Sequence, residues 1–489
     1  MTYSKRLLFI LLILALKLSA DPILSSWFTK YSGQYARIYE TAANESALNS
    51  VTTWSHPNNG SGQALPTYAG VHEIAYTENN VYIRTSGLGF HIMGPWYLNE
   101  ARTNLFPNYP ANSSAIFRFP RAPGTPPISK TVTGNGTIGY FVDGIGMFDS
   151  RDAFSYSNSN AGDARPNSNF TGDGIWNRDA YINESVTFDP ANAHQAGINH
   201  HYHANPPALR HLIGGSVDYD ASTNTYTESF NGQHSPILGW VRDGYPIYGP
   251  YGYDDPDDAT STVRRMISGY TTRDGSNGTT NLSDTGRTLL PNWAAVAQGI
   301  NAALTTTQYG PAVSATYPLG HYIEDYDYLG HQGLTLGSDF DLDEHNGRFC
   351  KTPEYPDGTY AYFVSIDAFG TPTYPYNIGR TFYGSPTGAT VSTLPANAEI
   401  YFEGGPEARP SIDSLEVETT AGDVTLTWSG PEGGTYLIER SADLEQWKIL
   451  VDAEVNEMGS LGSTPDSARA LDEAKQFYRA SLTTVEAFD

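Results

Sequence analysis

Two stretches of similar sequence, VDGIGMF at residues 142–148 and RDGYPIYG at residues 242–249, decide the predicted fold. Each places Asp-Gly inside an apolar run. Glycine adopts positive φ without strain and Asp tolerates the left-handed region, so this pattern predicts a β-hairpin with a type I′ turn. The two stretches therefore predict paired hairpins or an internal duplication. The turns also account for Asp143 and Asp243, which we do not consider metal ligands.

The sequence around these hairpins predicts a mainly β protein in which helix is a minority. Residues 71–76 and 80–84 alternate polar and apolar side chains, as half-buried strands do, whereas the Pro-rich residues 106–130 predict a loop. The 34 Tyr and 48 Gly favour strands joined by tight turns. We expect a helix over residues 292–305, inside a long exposed excursion, from apolar residues at helical spacing: Trp293, Val296, Ile300 and Leu304.

The N-terminus has the features of a signal peptide over residues 1–20. Basic residues precede a short apolar run from Leu7 to Leu16, and small residues end the segment at Ala20. A membrane anchor is the weaker alternative, because the run is about half of the roughly 20 residues that a spanning helix needs. We therefore expect a secreted or periplasmic protein without a membrane span.

The charge of the chain restricts its partners. The formal net charge is -25 at pH 7, which disfavours binding to nucleic acid or to an anionic membrane and favours cations. Solubility in a salty medium explains the same acidity without any ligand. A cell-surface component or an extracellular polysaccharide remains open as a further partner.

The composition also divides the chain into domains. We predict a large, loop-rich β domain over residues 21–390, a linker rich in Pro, Gly and acidic residues over 391–410, and a small β-sandwich over 411–489. Residues 414–418, 424–428 and 436–440 alternate with period two, as strands do. The segment 404–410 has two Gly and two Pro, so we expect it to be open to protease.

A cluster of histidines is the first candidate for chemistry. Four of the 12 histidines lie between His200 and His211. In an extended segment alternate side chains share a face, so His201 and His203 point the same way, about 6 to 7 Å apart along the strand. Both can reach one ion, which predicts a His-x-His metal site.

Four motifs in order along the chain resemble landmarks of the YHYH protein family. They are HIMGPW at residues 91–96, HYHANPP at 201–207, DGYPIYGP at 243–250 and DLDEHNGR at 341–348. The resemblance runs from about Asp21 to about Gly384, and it implies a layout more than a mechanism. The chain departs from the family at His200, where the motif has Tyr, and at 359–363, where many members repeat the motif. The last 75 or so residues resemble the fibronectin-like C-terminal modules of secreted planctomycete and verrucomicrobial proteins, with an attachment or spacer role implied.

Further candidate ligands are His91, His345 and Cys350. His345 and Cys350 belong to the acidic segment 339–350, which opens like a calcium loop but has Glu344 and Cys350 at the positions where an EF-hand needs Gly and Glu. An imidazole and a thiol suit zinc or copper, whereas the carboxylates alone suit calcium, so calcium is the less favoured ion. Cys350 is the single cysteine and therefore forms no internal disulfide.

Three classes of function remain open from the sequence. The first is an exported protein that binds a divalent metal, copper or zinc. The second is a secreted enzyme, either metal-dependent or carbohydrate-active; Gly-x-Ser-x-Gly is absent, so a serine nucleophile has no support. The third is a structural adhesion or matrix protein whose histidines form a hydrogen-bonded core. Three histidines around a water-accessible cavity favour the enzyme, and a closed four-ligand site favours storage or structure.

Overall fold

The fold is mainly β, as the sequence predicts. The computed structural model describes residues 24–29, 34–165 and 172–404, together with the backbone of six strands between residues 411 and 485. The predicted signal peptide and residues 405–410 of the segment 404–410, which is predicted to be open to protease, lie outside the described residues, so both stay predictions. No helix within the described residues has the length and apolar character needed to cross a membrane.

The strands before and within the central part of the chain are short. The first seven are β1 (Arg37–Ile38), β2 (Trp54–Ser55), β3 (Gly62–Gln63), β4 (Val71–Tyr76), β5 (Asn80–Thr85), β6 (Ile92–Met93) and β7 (Ala115–Pro120). The next nine are β8 (Thr137–Phe141), β9 (Gly146–Phe148), β10 (Arg151–Ser157), β11 (Gly162–Ala164), β12 (Asn177–Asp179), β13 (Ala193–Ala196), β14 (Asn199–Tyr202), β15 (Val217–Asp220) and β16 (Thr225–Glu228).

The remaining elements of the chain up to Glu403 are as follows. The strands are β17 (Ile237–Val241), β18 (Pro246–Tyr248), β19 (Tyr251–Tyr253), β20 (Val263–Arg265), β21 (Tyr270–Thr272), β22 (Tyr326–Tyr328), β23 (Gly347–Cys350), β24 (Thr359–Phe363), β25 (Ala389–Val391) and β26 (Glu399–Glu403). The α-helices are α1 (Ala42–Ser46), α2 (Ala180–Glu184), α3 (Pro207–Leu212), α4 (Leu282–Thr285) and α5 (Asn292–Gln298). Single 3₁₀ turns are Leu24–Trp27, Ser185–Thr187, Ser276–Gly278, Ile323–Asp325 and Leu329–Gln332.

An eight-stranded sheet forms the centre of the molecule, and it is built from two similar halves. Its strand order is β13-β14-β9-β8-β17-β18-β24-β23. In each half a hairpin, β8-β9 or β17-β18, pairs in parallel with a later strand, β14 or β24, which then pairs with an antiparallel edge strand. The halves meet where β8 pairs with β17. The internal duplication predicted from the two Asp-Gly stretches is therefore present in the structure.

The turn type predicted for these hairpins is wrong. Only the glycines have positive φ, 89° at Gly144 and 85° at Gly244, whereas a type I′ turn needs positive φ at two central residues. Gly144 N–H donates to the Phe141 carbonyl and Phe141 N–H to the Ile145 carbonyl, which defines a three-residue loop with a glycine bulge. The aspartate has a turn role as expected, because Asp143 Oδ1 accepts from Ile145 N–H at 3.2 Å.

A second sheet packs against the eight-stranded sheet and changes two expected boundaries. Its order is β25-β7-β5-β4-β26. One buried apolar cluster contains side chains from both sheets, among them Ile83, Phe117 and Phe363. Strand β7 lies inside the predicted loop 106–130, and β25 and β26 reach into the predicted linker 391–410, so the main body extends to Glu403. The Pro-rich composition did not indicate β7, β25 and β26, because these strands are stabilised by pairing with other strands of the second sheet.

The predicted helix over 292–305 ends early, at Gln298. Gly299 follows it with φ of 66°, the left-handed conformation that commonly ends helices. The excursion leaves the paired strands β21 and β22 and is fixed by a buried ion pair between Arg287 and Asp325, whose closest atoms lie 2.7 Å apart.

The C-terminal region contains six strands: β27 (Ser411–Val417), β28 (Val424–Ser429), β29 (Gly434–Ser441), β30 (Lys448–Glu454), β31 (Gly462–Pro465) and β32 (Phe477–Val485). They form two three-stranded antiparallel sheets, β27-β28-β31 and β30-β29-β32. The fibronectin-like character of this region and the independence of the domains stay predictions.

Candidate metal centre

The hairpin of β13 and β14 positions the histidines. The strands are joined by the two residues Gly197 and Ile198, so His194 pairs directly across from His201. Side chains on opposite residues of an antiparallel pair share a face, and His203 follows two residues after His201. The hairpin therefore brings three imidazoles to one face.

These three histidines form a buried cluster. The exposed fractions of His194, His201 and His203 are 4%, 2% and 4%, and their nearest ring nitrogens all lie within 4.8 Å of one another. The Nε2 atoms of His201 and His203 are 3.0 Å apart. Two nitrogens on one tetrahedral zinc ion, each at 2.0–2.1 Å, lie about 3.3 Å apart. The spacing thus fits two ligands of one ion.

The hydrogen bonds of the rings fix which nitrogen carries the proton. The Nδ1 atoms of His201 and His203 face the backbone carbonyls of Asn199 and Asp149, at 3.0 and 2.8 Å. A carbonyl only accepts, so each Nδ1 is a donor and each Nε2 of a neutral ring presents a lone pair. Two lone pairs facing each other at 3.0 Å repel, and a shared cation between them removes that repulsion.

His194 is oriented in the same way through a hydroxyl group. Its Nδ1 lies 2.7 Å from Thr187 Oγ1, and that hydroxyl donates its proton to the Glu184 carbonyl at 2.6 Å. Nδ1 of His194 is therefore also a donor, and its Nε2 is available to a ligand. Metal-binding histidines commonly hold their second nitrogen in this manner.

The surroundings favour neutral imidazoles at His194 and His201 and place aromatic rings against His201 and His203. Burial lowers the pKa of His194 and His201 well below 6.5, and the charges of neighbouring histidines lower both further. Phe148 stacks on His201 with ring centroids 3.8 Å apart, and Phe188 lies parallel to His203 at 6.0 Å. A neutral, oriented imidazole is the form that binds a metal.

Glu184 at the end of α2 is the nearest carboxylate. Its Oε2 lies 3.5 Å from His203 Nε2 and 3.7 Å from His194 Nε2. Burial raises the pKa of Glu184, and the charge of His203 opposes that rise. A cation among the imidazoles would hold this carboxylate ionised, and the set would then offer three nitrogens and one oxygen.

A second group lies on the opposite face of the same hairpin. His91, Asp189 and His200 each present a ligand atom, all within 4.8 Å of one another. Asp189 Oδ2 is 3.4 Å from His91 Nε2 and accepts from Gly94 N–H at 2.9 Å. Burial alone would raise the pKa of Asp189, but the hydrogen bond and charge of His91 outweigh it and lower the pKa. Burial lowers the pKa of His200 to about 4.

The structure separates the predicted ligands. It places His201 and His203 together and His91 in the second group. Within the described residues, His345 and Cys350 belong to neither group. His345 Nδ1 faces the Thr381 carbonyl at 3.1 Å, and burial raises the pKa of the Cys350 thiol.

The acidic segment around His345 uses its carboxylates within the fold. Asp341 makes two hydrogen bonds with the Arg264 guanidinium, at 2.6 and 2.7 Å. Asp343 Oδ1 accepts from the N–H groups of His345 and Gly347. The ligand roles proposed for His345 and Cys350 gain no support from these contacts and stay predictions.

Sequence reasoning missed His194 and Glu184. His194 had a detectable signal: the two residues Gly197 and Ile198 between two alternating segments predict a hairpin that sets His194 opposite His201. Glu184 had none, because its approach depends on the placement of α2, which contacts β10 and β12. The second group likewise depends on contacts between residues about 100 positions apart.

The comparisons with known proteins agree with this layout. The family model described as YHYH protein matches residues 116–376, which contain both halves of the eight-stranded sheet and the histidine hairpin. No curated protein matches the chain. No solved structure matches it either. Because the matched region is more than half of the 489 residues, the chain belongs to the YHYH protein family.

Proposed function

We propose that this protein is an exported metal-binding protein that holds one divalent transition-metal ion through His194, His201 and His203. One observation carries the proposal. The Nδ1 atoms of all three histidines are hydrogen-bonded to protein oxygens. Three buried Nε2 lone pairs therefore converge, and neither His201 nor His203 carries a proton on Nε2 that it could donate to the other.

The ligand chemistry selects the class of ion. Imidazole nitrogens suit zinc and copper, whereas calcium and magnesium prefer sets of oxygen atoms. Glu184 is the single carboxylate that we include, because its Oε2 is within 4 Å of two of the three Nε2 atoms. Zinc in a tetrahedral set of three imidazoles and one carboxylate, or copper in the same pocket, is the expected occupant.

The burial of the set favours a retained ion. Each histidine is at most 4% exposed, and Phe148 and Phe188 cover two of the rings. With Glu184 as fourth ligand the site is closed, which is typical of storage and structural sites. Export follows from the predicted signal peptide, and the proposed role is to hold the ion outside the cytoplasm.

Elemental analysis of protein purified without a histidine tag tests the proposal. We expect about one equivalent of zinc or copper in this site, and its loss in His194→Ala, His201→Ala and His203→Ala. The matched control is His331→Ala, an exposed histidine outside both groups. Full metal content in the His201→Ala/His203→Ala double variant would overturn the proposal.

Glu184→Gln tests the fourth ligand separately. The amide keeps the shape of the side chain but loses the charge, so we expect the metal affinity to fall by at least about 10- to 100-fold, the loss found when a group that only supports a ligand is removed. Competition with a chromophoric chelator measures this affinity. An unchanged affinity would leave a three-histidine site and remove Glu184 from the set.

A further inference from the structure

We propose that His91, Asp189 and His200 form a second metal site, separate from the histidine cluster and reached from a cavity beside His91. The proposal does not depend on the first site, because its ligands lie on the other face of the hairpin. The occupant is a divalent transition-metal ion with at least one coordination position left for water or a small anion.

The first observation that supports the second site is the burial of His200 without a hydrogen-bond partner in the part of the chain that the structure describes. His200 is 3% exposed, and neither of its ring nitrogens has a hydrogen-bond partner of normal geometry among the described residues. A buried polar group without a partner costs about 1–3 kcal/mol. A metal ion at the ligand atoms of Asp189 and His91 would give one of these nitrogens a partner.

The second observation that supports the site is the distance between His91 and Asp189. Their Nε2 and Oδ2 atoms are 3.4 Å apart, which is long for a charge-assisted hydrogen bond but close to the separation of two ligands on one ion. Asp189 Oδ1 accepts from the N–H groups of Ala191 and Ala193, which fixes the carboxylate. One position at Oδ2 remains for the ion beside Gly94 N–H.

In the second half of the sheet, the position equivalent to His200 holds a residue that hydrogen-bonds directly to the equivalent aspartate. Asp343 corresponds to Asp189, since its Oδ1 accepts from N–H groups two and four residues later in the same way. Tyr360 occupies the register position of His200, and its hydroxyl donates to Asp343 Oδ1 at 2.9 Å. In the first half a histidine replaces this tyrosine and makes no such bond, so its nitrogen is free for an ion.

A cavity provides the path to the site. It has a volume of about 470 Å³, and His91 lines it together with Phe90, Arg37 and Tyr226. Of the three proposed ligands only His91 lines the cavity; Asp189 and His200 lie behind it. Two imidazoles and one carboxylate with open positions are a set known for iron and zinc sites that bind exogenous ligands. The proposed second site is thus reached from the cavity through the His91 ring.

Cobalt titration of the metal-free mature protein, followed by its visible absorption, tests the proposal. We expect two equivalents to bind. His91→Ala and His200→Phe should each reduce this to one and should leave the spectrum of the first site unchanged. The matched control is His211→Ala, which lines the same cavity outside the group and should keep two equivalents. Azide should alter the spectrum only while the second site is intact.

The two proposals fail in different ways. One equivalent that is lost in His201→Ala/His203→Ala and kept in both His91→Ala and His200→Phe would overturn the second site and leave the first. One equivalent with the reverse pattern would overturn the first and support the second. Two equivalents that persist in both His91→Ala and His200→Phe would also overturn the second site.

Discussion

The two halves of the eight-stranded sheet share a backbone arrangement but differ in the side chains of their edge hairpins, β13-β14 and β23-β24. Asp143 accepts from the Tyr202 hydroxyl in the first half, and Asp243 accepts from the Tyr362 hydroxyl in the second. Tyr202 pairs with Met147 and Tyr362 pairs with Ile247, each three residues after the turn glycine. The aspartate and tyrosine are therefore part of the arrangement common to both halves.

The equivalence extends to the turns before the edge strands. Asn192 and Asn346 have φ of 64° and 66°, and each follows its aspartate, Asp189 or Asp343, by three residues. In both turns the aspartate N–H donates to the carbonyl of the residue four positions later, at 2.9 and 2.8 Å. Two separate segments thus repeat an unusual conformation in detail, which supports duplication over chance similarity.

The second half has no histidine at the positions of His194, His201 and His203. By register, the positions of His194 and His201 are taken by Arg348 and Ala361, and Phe363 follows in the place of His203. Arg348 lies over the Phe363 ring, 5.7 Å from its centroid, so packing fills the space. Because the second half forms the same backbone without histidines at these positions, the fold itself does not require them, which supports the proposed metal-binding role.

Exchanging the residues between halves should give the largest effect. In the His201→Ala/His203→Phe variant the first half carries the residues of the second, and we expect complete loss of the first-site metal. The melting temperature should fall for the metal-loaded protein only, because an ion stabilises only the folded state that binds it. Calorimetry with and without a chelator measures both. A large fall in the metal-free protein would mean that the histidines are packing residues.

The sequence predicted those features that depend on residues close together in the chain. The hairpins at Asp143 and Asp243 and the shared face of His201 and His203 follow from local turn and strand geometry. The turn type did not, because Asp-Gly suits both a two-residue loop and a three-residue loop with a bulge.

Features made by distant contacts could not be obtained in this way. Glu184 approaches the histidines from α2, which contacts β10 and β12, and His91 reaches Asp189 across 98 residues of chain. The segment containing His345 and Cys350 looked like a ligand cluster in sequence because its acidic residues are dense. In the structure Asp341 pairs with Arg264, and Asp343 accepts from backbone N–H groups.

The turn glycines should differ in their tolerance of a side chain. A Cβ at Gly144 would lie 2.2 Å from Thr85 Oγ1 and 2.9 Å from the Gly70 backbone, whereas at Gly244 the closest atom is Pro120 Cγ at 2.8 Å. Positive φ alone costs about 1–2 kcal/mol, and overlap adds to it. We expect Gly144→Ala to lower the free energy of unfolding by about 3–4 kcal/mol and Gly244→Ala by about 2.

Urea unfolding of the metal-free proteins checks this order. Gly136→Ala is the matched control, because its φ is 98° and a Cβ there meets no atom within 4 Å. It should show the backbone cost alone. Equal losses at Gly144 and Gly244 would contradict the tighter packing of the first turn against Thr85.

The buried turn aspartates should make stability depend on pH in the same way in both halves. Burial raises the pKa of Asp143 and of Asp243 to about 6, against 3.8 for an ordinary aspartate. A raised folded-state pKa gives stability that is complete below about 3.8 and is lost as the pH rises through 6. Each carboxyl therefore removes about 2–3 kcal/mol of stability between pH 4 and pH 7.

Asp243→Asn and Asp143→Asn should each remove this dependence for one group. We expect the stability of the wild type relative to either variant to fall by about 2–3 kcal/mol over that range, measured by urea unfolding in chelator. Asp257→Asn, at an exposed position, is the control and should show no such trend. A trend in one half alone would show that the two turns differ electrostatically despite their common geometry.

Removing the tyrosine hydroxyls should give the smallest effects and should separate scaffold from site. Tyr362 donates to Asp243 Oδ2 at 2.6 Å and accepts from Tyr383 N–H at 2.7 Å, so Tyr362→Phe leaves two buried groups each short of a partner. Tyr202 donates to Asp143 at 3.0 Å. We expect losses of about 2 kcal/mol for Tyr362→Phe and about 1 kcal/mol for Tyr202→Phe, by urea unfolding of the metal-free protein.

Metal content gives this last comparison its second measurement. Tyr202 lies between His201 and His203 in the chain, but its hydroxyl faces Asp143 in the core, so Tyr202→Phe should keep every equivalent of metal. Tyr401→Phe, at an exposed ring, is the control for the loss of a hydroxyl without a buried partner. Loss of metal in Tyr202→Phe with little loss of stability would place this tyrosine in the site, and the Asp-Tyr pair would then no longer be a scaffold feature common to both halves.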